Sequence, residues 1–119
     1  MTANTCKSRK GKARALQNAI AEDLRANLPP LGSADISPAI MGSSGMDILL
    51  SSRARDQFPF AIECKNQEAL NIWEALKQCQ TNAEKENLIP LLVFKRARSE
   101  TYAVLRWEDY LGLVRKVRR

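Results

Sequence analysis

The sequence predicts one α/β domain with a central mixed β-sheet flanked by helices, in the order αβββαββα. Three observations predict it. Apolar residues recur with helical spacing in two long segments, short β-rich runs lie between and after them, and the 119-residue length suits one hydrophobic core. The division that follows is a flexible basic arm over 1–11, a domain over 12–114 and a basic C-terminal tail over 115–119.

The first helix is expected over 12–28, where Leu16, Ile20, Leu24 and Leu28 recur every four residues with Ala13 and Ala19 beside them. Pro29, Pro30 and Gly32 stop it. Residues 36–41 read as a brief edge strand before the turn-forming Gly42-Ser43-Ser44-Gly45. Next come a strand over 47–51, a polar turn over 52–57 and a strand over 58–65, together a hairpin. A helix follows, with Leu70, Trp73 and Leu76 opening a repeat that runs through Ala83 to near Asn87. The nearly all-apolar run 88–94 suits a strand covered on both faces. A second short strand over 101–106 follows a basic turn. Glu108 and Asp109 then open a closing helix over 107–114, acidic at its first turn as the helix dipole favours.

Charge and absences narrow the function. The net charge is +6, with Lys7, Arg9, Lys10, Lys12 and Arg14 near one end and Arg115, Lys116, Arg118 and Arg119 at the other. Such an excess points to a polyanionic partner, with tails that are merely solvated, or that bind RNA or acidic lipid, as the bland alternative, so charge suggests the partner without identifying the activity. No apolar run reaches the roughly 18 residues of a membrane span, and no apolar core follows the basic N-terminus, so no membrane association and a cytoplasmic protein are expected. Cys6, Cys64 and Cys79 are odd in number and form no CxxC pair, which suggests neither a disulfide framework nor a zinc site. The chain has no histidine, which removes His-dependent triads and zinc-hydrolase motifs. It also has no GxxxxGK loop, so no nucleotide cofactor of the P-loop kind is expected. Catalysis must rest on carboxylates, lysine or metal.

The group that answers this description is Asp47, Glu63 and Lys65. Asp47 and Glu63 lie equally far from Arg55 at the middle of the polar turn, so antiparallel pairing brings them to neighbouring places. Glu63 and Lys65 share one strand face, while Ile62 and Cys64 take the other. The apolar lead-in Phe58, Phe60, Ile62 predicts burial of charge there, and an unpaired buried charge is costly. Two carboxylates side by side raise each other's proton affinity unless a cation joins them, and oxygen ligands favour Mg²⁺ or Mn²⁺. Such an ion can orient and acidify a water for attack on a phosphodiester, with Lys65 stabilising the phosphate charge or helping to deprotonate the water. Set against this, Glu-x-Lys by itself is a common surface ion pair.

Ser44-Gly45-Met46-Asp47-Ile48 and Phe60-Ala61-Ile62-Glu63-Cys64-Lys65-Asn66, with the element order around them, resemble the PD-(D/E)xK nuclease superfamily and its restriction-endonuclease-like fold. The likeness is strongest to small phage-type and Holliday-junction-resolvase-like members and covers about 12–114. It implies that Asp47 and Glu63 bind the metal, that the backbone carbonyl of Cys64 completes the shell, and that Lys65 is the catalytic lysine. In resolvase-like members a first-helix Glu approaches the metal. The comparable place here is Gln17, with Glu22 further along, and either a water-holding amide or a solvent-facing side chain fits Gln17. Gln78 stands where related nucleases carry a Gln or Lys reaching toward the metal, an exposed helix glutamine being the equal alternative.

Lys95, Arg96 and Arg98 follow the buried strand, where a turn can present them, with Lys10, Lys12 and Arg14, to a DNA backbone. Trp73 and Trp107 could stack on bases, but their apolar helix positions favour core or subunit-interface packing. The function expected is a Mg²⁺- or Mn²⁺-dependent DNA endonuclease acting on branched or duplex DNA in a bacterial or phage-infected host cell. A homodimer is expected because one small chain has one site and two strands must be cut. A non-catalytic DNA-binding or assembly module that keeps the fold, and an RNA-binding protein, are the competing readings.

Overall fold

The computed structural model describes residues 2–118 apart from 41 and 43, with side chains from residue 9 onward. Met41 and Arg119, and the side chains of Cys6 and Lys7, lie outside the described residues. The elements in order are α1 (Thr2–Asn27), β1 (Ile36–Pro38), β2 (Ile48–Leu50), α2 (Ser52–Gln57), β3 (Phe60–Asn66), α3 (Ile72–Glu86), β4 (Ile89–Lys95), β5 (Tyr102–Val104) and α4 (Trp107–Val117).

The protein is α/β, and two features differ from the sequence expectation. The polar turn over 52–57 is a helix, so the order is αββαβαββα. The strands form a two-stranded sheet, β1-β2, and a three-stranded sheet, β3-β4-β5, rather than one. The cause lies in Ser51, whose hydroxyl accepts a 3.1 Å bond from the Ala54 N–H and so caps α2. The same hydroxyl donates to Asp35 at 2.8 Å, tying the cap to the start of β1. A helical turn in that place spaces β2 and β3 too far apart for a tight hairpin. Strand β2 pairs instead with β1, antiparallel, with Ile36 opposite Leu50 and Pro38 opposite Ile48.

Strand β3 pairs with β4 in parallel, Glu63 opposite Leu92 and Asn66 opposite Lys95, and α3 makes the crossover between them. Strand β5 runs antiparallel on the outer edge of β4. Because β3 is covered on both faces, residues 60–64 are all buried. On one face Ile62 and Cys64 join Leu16, Ile20 and Ala21 of α1 and Ile36, Ile48, Leu50 and Ala54. On the other, Ala61 meets Met46 and Ala83 of α3. Small residues at Ala75, Cys79 and Ala83 let α3 lie close to the sheet. Asn71 caps α3 by accepting from the Glu74 N–H at 3.1 Å, and Asn87, in the left-handed conformation at φ 54°, ends it.

Both chain ends also differ from expectation. The segment read as an arm is helical from Thr2, and α4 carries Arg115 and Lys116 of the expected tail to Val117. Trp73 and Trp107 are not in the core: they are 82% and 68% exposed.

Candidate active site

Asp47 stands at the seam between the two sheets, just before β2. Its backbone N–H donates to the Ile62 carbonyl at 2.9 Å and its carbonyl accepts from Ala39 at 2.8 Å. Its Oδ2 accepts a 2.6 Å bond from the Cys64 N–H. A side chain and one backbone bond thus join β3 to the smaller sheet, where the expected hairpin would have used a ladder. In a strand the N–H and C=O of one residue face the same neighbour, so the Cys64 carbonyl faces the Asp47 edge too.

Glu63 and Gln17 are the buried polar side chains of the described chain, at 5% and 6% exposure. Glu63 lies on the α3 side of β3. Asn82 donates from Nδ2 to Glu63 Oε1 at 3.2 Å and to the Gly45 carbonyl at 3.2 Å, so one amide ties the acid to the loop that leads into Asp47. Gly45 holds φ at 102°, a conformation side chains resist, which suits glycine at this turn.

Burial pushes the Glu63 carboxyl up to about 8, and a hydrogen bond with Asp47 and repulsion from its charge push the same way. The Lys65 ammonium and the Asn82 amide pull in the opposite direction more weakly. The two carboxyl groups therefore meet, and Lys65 is close enough to act on Glu63. Cys64 and Cys79 are buried thiols with raised proton affinity and serve as core residues here.

Among the other residues singled out by sequence, Gln17 sits in the buried side of α1 between Leu16 and Ile20, which pack on the face of β3 opposite Glu63. Glu22 is exposed on α1. Gln78 is exposed one turn before Asn82, on the same side of α3. The amide that reaches Glu63 is Asn82, which the sequence reading missed. Its only signal was a polar residue four places after Gln78, flanking the small-residue face of Ala75, Cys79 and Ala83.

Basic side chains gather at the C-terminal end of β3. Asn66 donates to the Lys12 carbonyl at 3.1 Å, which brings α1 alongside that end, with Lys10, Lys12 and Arg14 exposed there. The β4–β5 turn is pinned to the same end: the Gln67 N–H donates to the Lys95 carbonyl at 3.1 Å and the Ala97 N–H to Glu68 at 2.6 Å. Arg96 and Arg98 project from this turn and Lys95 is half-buried at its base.

The donor set fits a hard divalent cation. Two meeting carboxyl groups, whose ionised forms repel each other, and a carbonyl on the same edge are oxygen donors, and a cation between them would remove that repulsion. Among the described residues no three His, Cys, Asp or Glu side chains cluster as ligands, so the third ligand from the protein would be that carbonyl. No helix of the described residues is long and apolar enough to cross a membrane. Neither a search of curated proteins nor one of solved structures finds a match to the chain. The model of the family described as "Phage putative PDDEXK endonuclease" matches residues 13–118, and a chain matched over that span, with Asp47, Glu63 and Lys65 arranged in this way, belongs to that family.

Proposed function

We propose that the protein is a Mg²⁺- or Mn²⁺-dependent endodeoxyribonuclease that hydrolyses phosphodiester bonds in branched or duplex DNA. The observation that carries this reading is the meeting of half-buried Asp47 with buried Glu63, whose carboxyl is pushed up to about 8 beside Lys65. A pair so costly to ionise has its natural use in holding a cation, since structural packing would be served better by apolar side chains.

Asp47, Glu63 and the Cys64 carbonyl would hold the ion, which when bound supplies a Lewis acid for the phosphate and an acidified water. Lys65 neutralises charge that grows on the phosphate, or takes a proton from the attacking water. Asn82 keeps Glu63 turned toward Asp47. Gln78, one turn before Asn82 on the same side of α3, would reach toward the metal, whereas Gln17, packed on the opposite face of β3, would not. Lys10, Lys12, Arg14, Lys95, Arg96 and Arg98 hold the DNA backbone at the C-terminal end of β3, the end at which open α/β sheets commonly present ligands. A homodimer places two such sites on one DNA molecule, as resolvase-like cutting requires, and the bacterial or phage-infected cytoplasm is the compartment this substrate implies.

The test is incubation of the purified chain with Mg²⁺ or Mn²⁺ and supercoiled, linear, single-stranded and four-way-junction DNA. Cleavage that Lys65→Ala abolishes supports the reading. Calorimetry showing no site-specific uptake of either ion, together with no cleavage of any substrate, overturns it in favour of an inert DNA-binding module.

A further inference from the structure

Helix α2, which takes the place of the expected hairpin turn, also walls a pocket beside the acids. The pocket holds about 270 Å³ and lies between the loop at 44–46, β2, α2 and the last turns of α3. It shares two residues with the candidate active site. Asn82 lines it and donates to Glu63 at 3.2 Å, and Gly45 lines it and accepts from the same amide at 3.2 Å. Strand alternation puts the pocket on the side of the acids. Ile48 and Leu50 turn into the core, so Asp47 and Leu49 turn the other way, and Leu49 reaches the pocket with 48% of its surface exposed.

The walls choose the occupant. Leu49 and Met46 give an apolar floor, while Arg55 of α2 and Lys85 and Glu86 of α3 bring two cations against one acid. Arg55 and Glu86 already pair at 2.9 Å. Lys85, exposed and in none of the ion pairs among the described residues, is left to meet an anion. An apolar floor with a cation beside it suits a base together with its phosphate. The volume falls just below the roughly 300 Å³ at which small-molecule pockets begin, so one base enters and a base pair does not.

We propose that this pocket takes one unpaired nucleotide of the DNA strand next to the bond that is cut, its base on Leu49 and Met46 and its phosphate on Lys85. Helix α3 runs back from the C-terminal end of β3 toward Phe60, which stands opposite Ile89, so Lys85 lies beyond Glu63 from Lys12, Arg96 and Arg98. A strand held at both places crosses Asp47 and Glu63. A base reaches the pocket only by leaving its stack, which is costly in intact duplex and cheap where the nucleotide is already unpaired. This inference rests on the nuclease reading and narrows its substrate to DNA with an unpaired nucleotide beside the cut.

Fluorescence anisotropy of the full chain, with Ca²⁺ in place of Mg²⁺, compares a duplex carrying one unpaired nucleotide with the same duplex fully paired. The first should bind about tenfold more tightly. Leu49→Ser should erase the difference with unchanged circular dichroism, Leu49→Met should keep it, and Lys85→Ala should lower the salt slope on the bulged duplex by about 0.9. 2-Aminopurine at the unpaired position should brighten on binding the parent and not Leu49→Ser. Equal affinity for the two duplexes overturns the proposal. So does a preference that survives both Leu49→Ser and Lys85→Ala, which would assign it to the flexibility of the bulged DNA. A chain that shows the preference yet cleaves nothing with Mg²⁺ or Mn²⁺ would refute the nuclease reading and leave the pocket standing; cleavage without the preference would do the reverse.

Discussion

The carboxylate of Asp47 accepts a 2.6 Å hydrogen bond from the Cys64 N–H, so one acid both closes the seam between the two sheets and faces Glu63. Structural and chemical duties of this residue can be separated. Asp47→Asn keeps an oxygen to accept from Cys64 and should change stability by less than about 1 kcal/mol, whereas Asp47→Ala leaves a buried N–H without its partner and should cost about 1–3 kcal/mol. Both should lower DNA cleavage by orders of magnitude. Urea unfolding and a plasmid-nicking assay on the two variants test this, and full cleavage by Asp47→Asn would remove Asp47 from the metal site.

The position of Glu63 predicts an inverse pH dependence of stability. Its carboxyl is pushed from 4.5 to about 8 on folding, so between these values the folded state holds a proton that the unfolded state has lost. The stability this gives is complete below about pH 4.5 and is lost as pH rises toward 8, at no more than about 1.4 kcal/mol per pH unit. Metal-free protein followed by thermal unfolding should lose stability across that window. Glu63→Gln, which carries no titrating proton, should flatten the curve; an equally steep curve in the variant would place the titration elsewhere.

Adding Mg²⁺ or Mn²⁺ should reverse part of this loss, because the cation takes the ionised pair and binding releases a proton. Isothermal titration in buffers of different ionisation enthalpy should show proton release that diminishes as pH approaches and passes 8. Binding with no proton exchange at pH 6 would mean that Glu63 does not ligate.

Asn82 supports Glu63 and the Gly45 carbonyl with one amide. Residues that orient ligands in this way commonly matter by 10–100-fold, and Asn82→Ala should lower cleavage or metal affinity by about that factor. Its hydrogen bond also holds down the proton affinity of Glu63, so the pH profile of the variant should move to higher pH. A loss of activity with an unmoved profile would reduce Asn82 to a packing role.

What was legible in the sequence follows from how local each signal is. Helices α1, α3 and α4 were visible because Leu16, Ile20, Leu24 and Leu28, and Leu70, Trp73 and Leu76 with the repeat through Ala83, recur at helical spacing, and because Glu108 and Asp109 open the last one. The meeting of Asp47 and Glu63 was also foreseeable, although the hairpin symmetry behind the expectation is absent. The acids meet because Asp47 N–H bonds Ile62 and its side chain bonds Cys64. Helix α2 was missed since Ser51-Ser52-Arg53 has ordinary turn composition, and the decisive partner of Ser51 is Asp35, 16 residues away. Asn82 was missed for the same reason: its bonds reach 37 residues back to Gly45 and 19 to Glu63. The exposure of Trp73 and Trp107 was hidden because an apolar helix position does not say whether a partner element covers it.

The basic residues at the C-terminal end of β3 give a last measurable expectation. Lys12 is brought there by the bond from Asn66 to its carbonyl, and Arg96 and Arg98 by the turn pinned to Glu68 through Ala97. If each cation neutralises one phosphate, replacing it by alanine should reduce the slope of log K against log salt by about 0.9 on duplex DNA, and affinity should fall alike for every sequence. Arg115, in the last turn of α4, is the control and should leave the slope unchanged. Fluorescence anisotropy with Ca²⁺ in place of Mg²⁺, over a range of salt, measures each slope without cleavage. Slopes that respond to Arg115→Ala and ignore Lys12→Ala and Arg96→Ala would put the DNA on the α4 side of the molecule and separate it from Asp47 and Glu63.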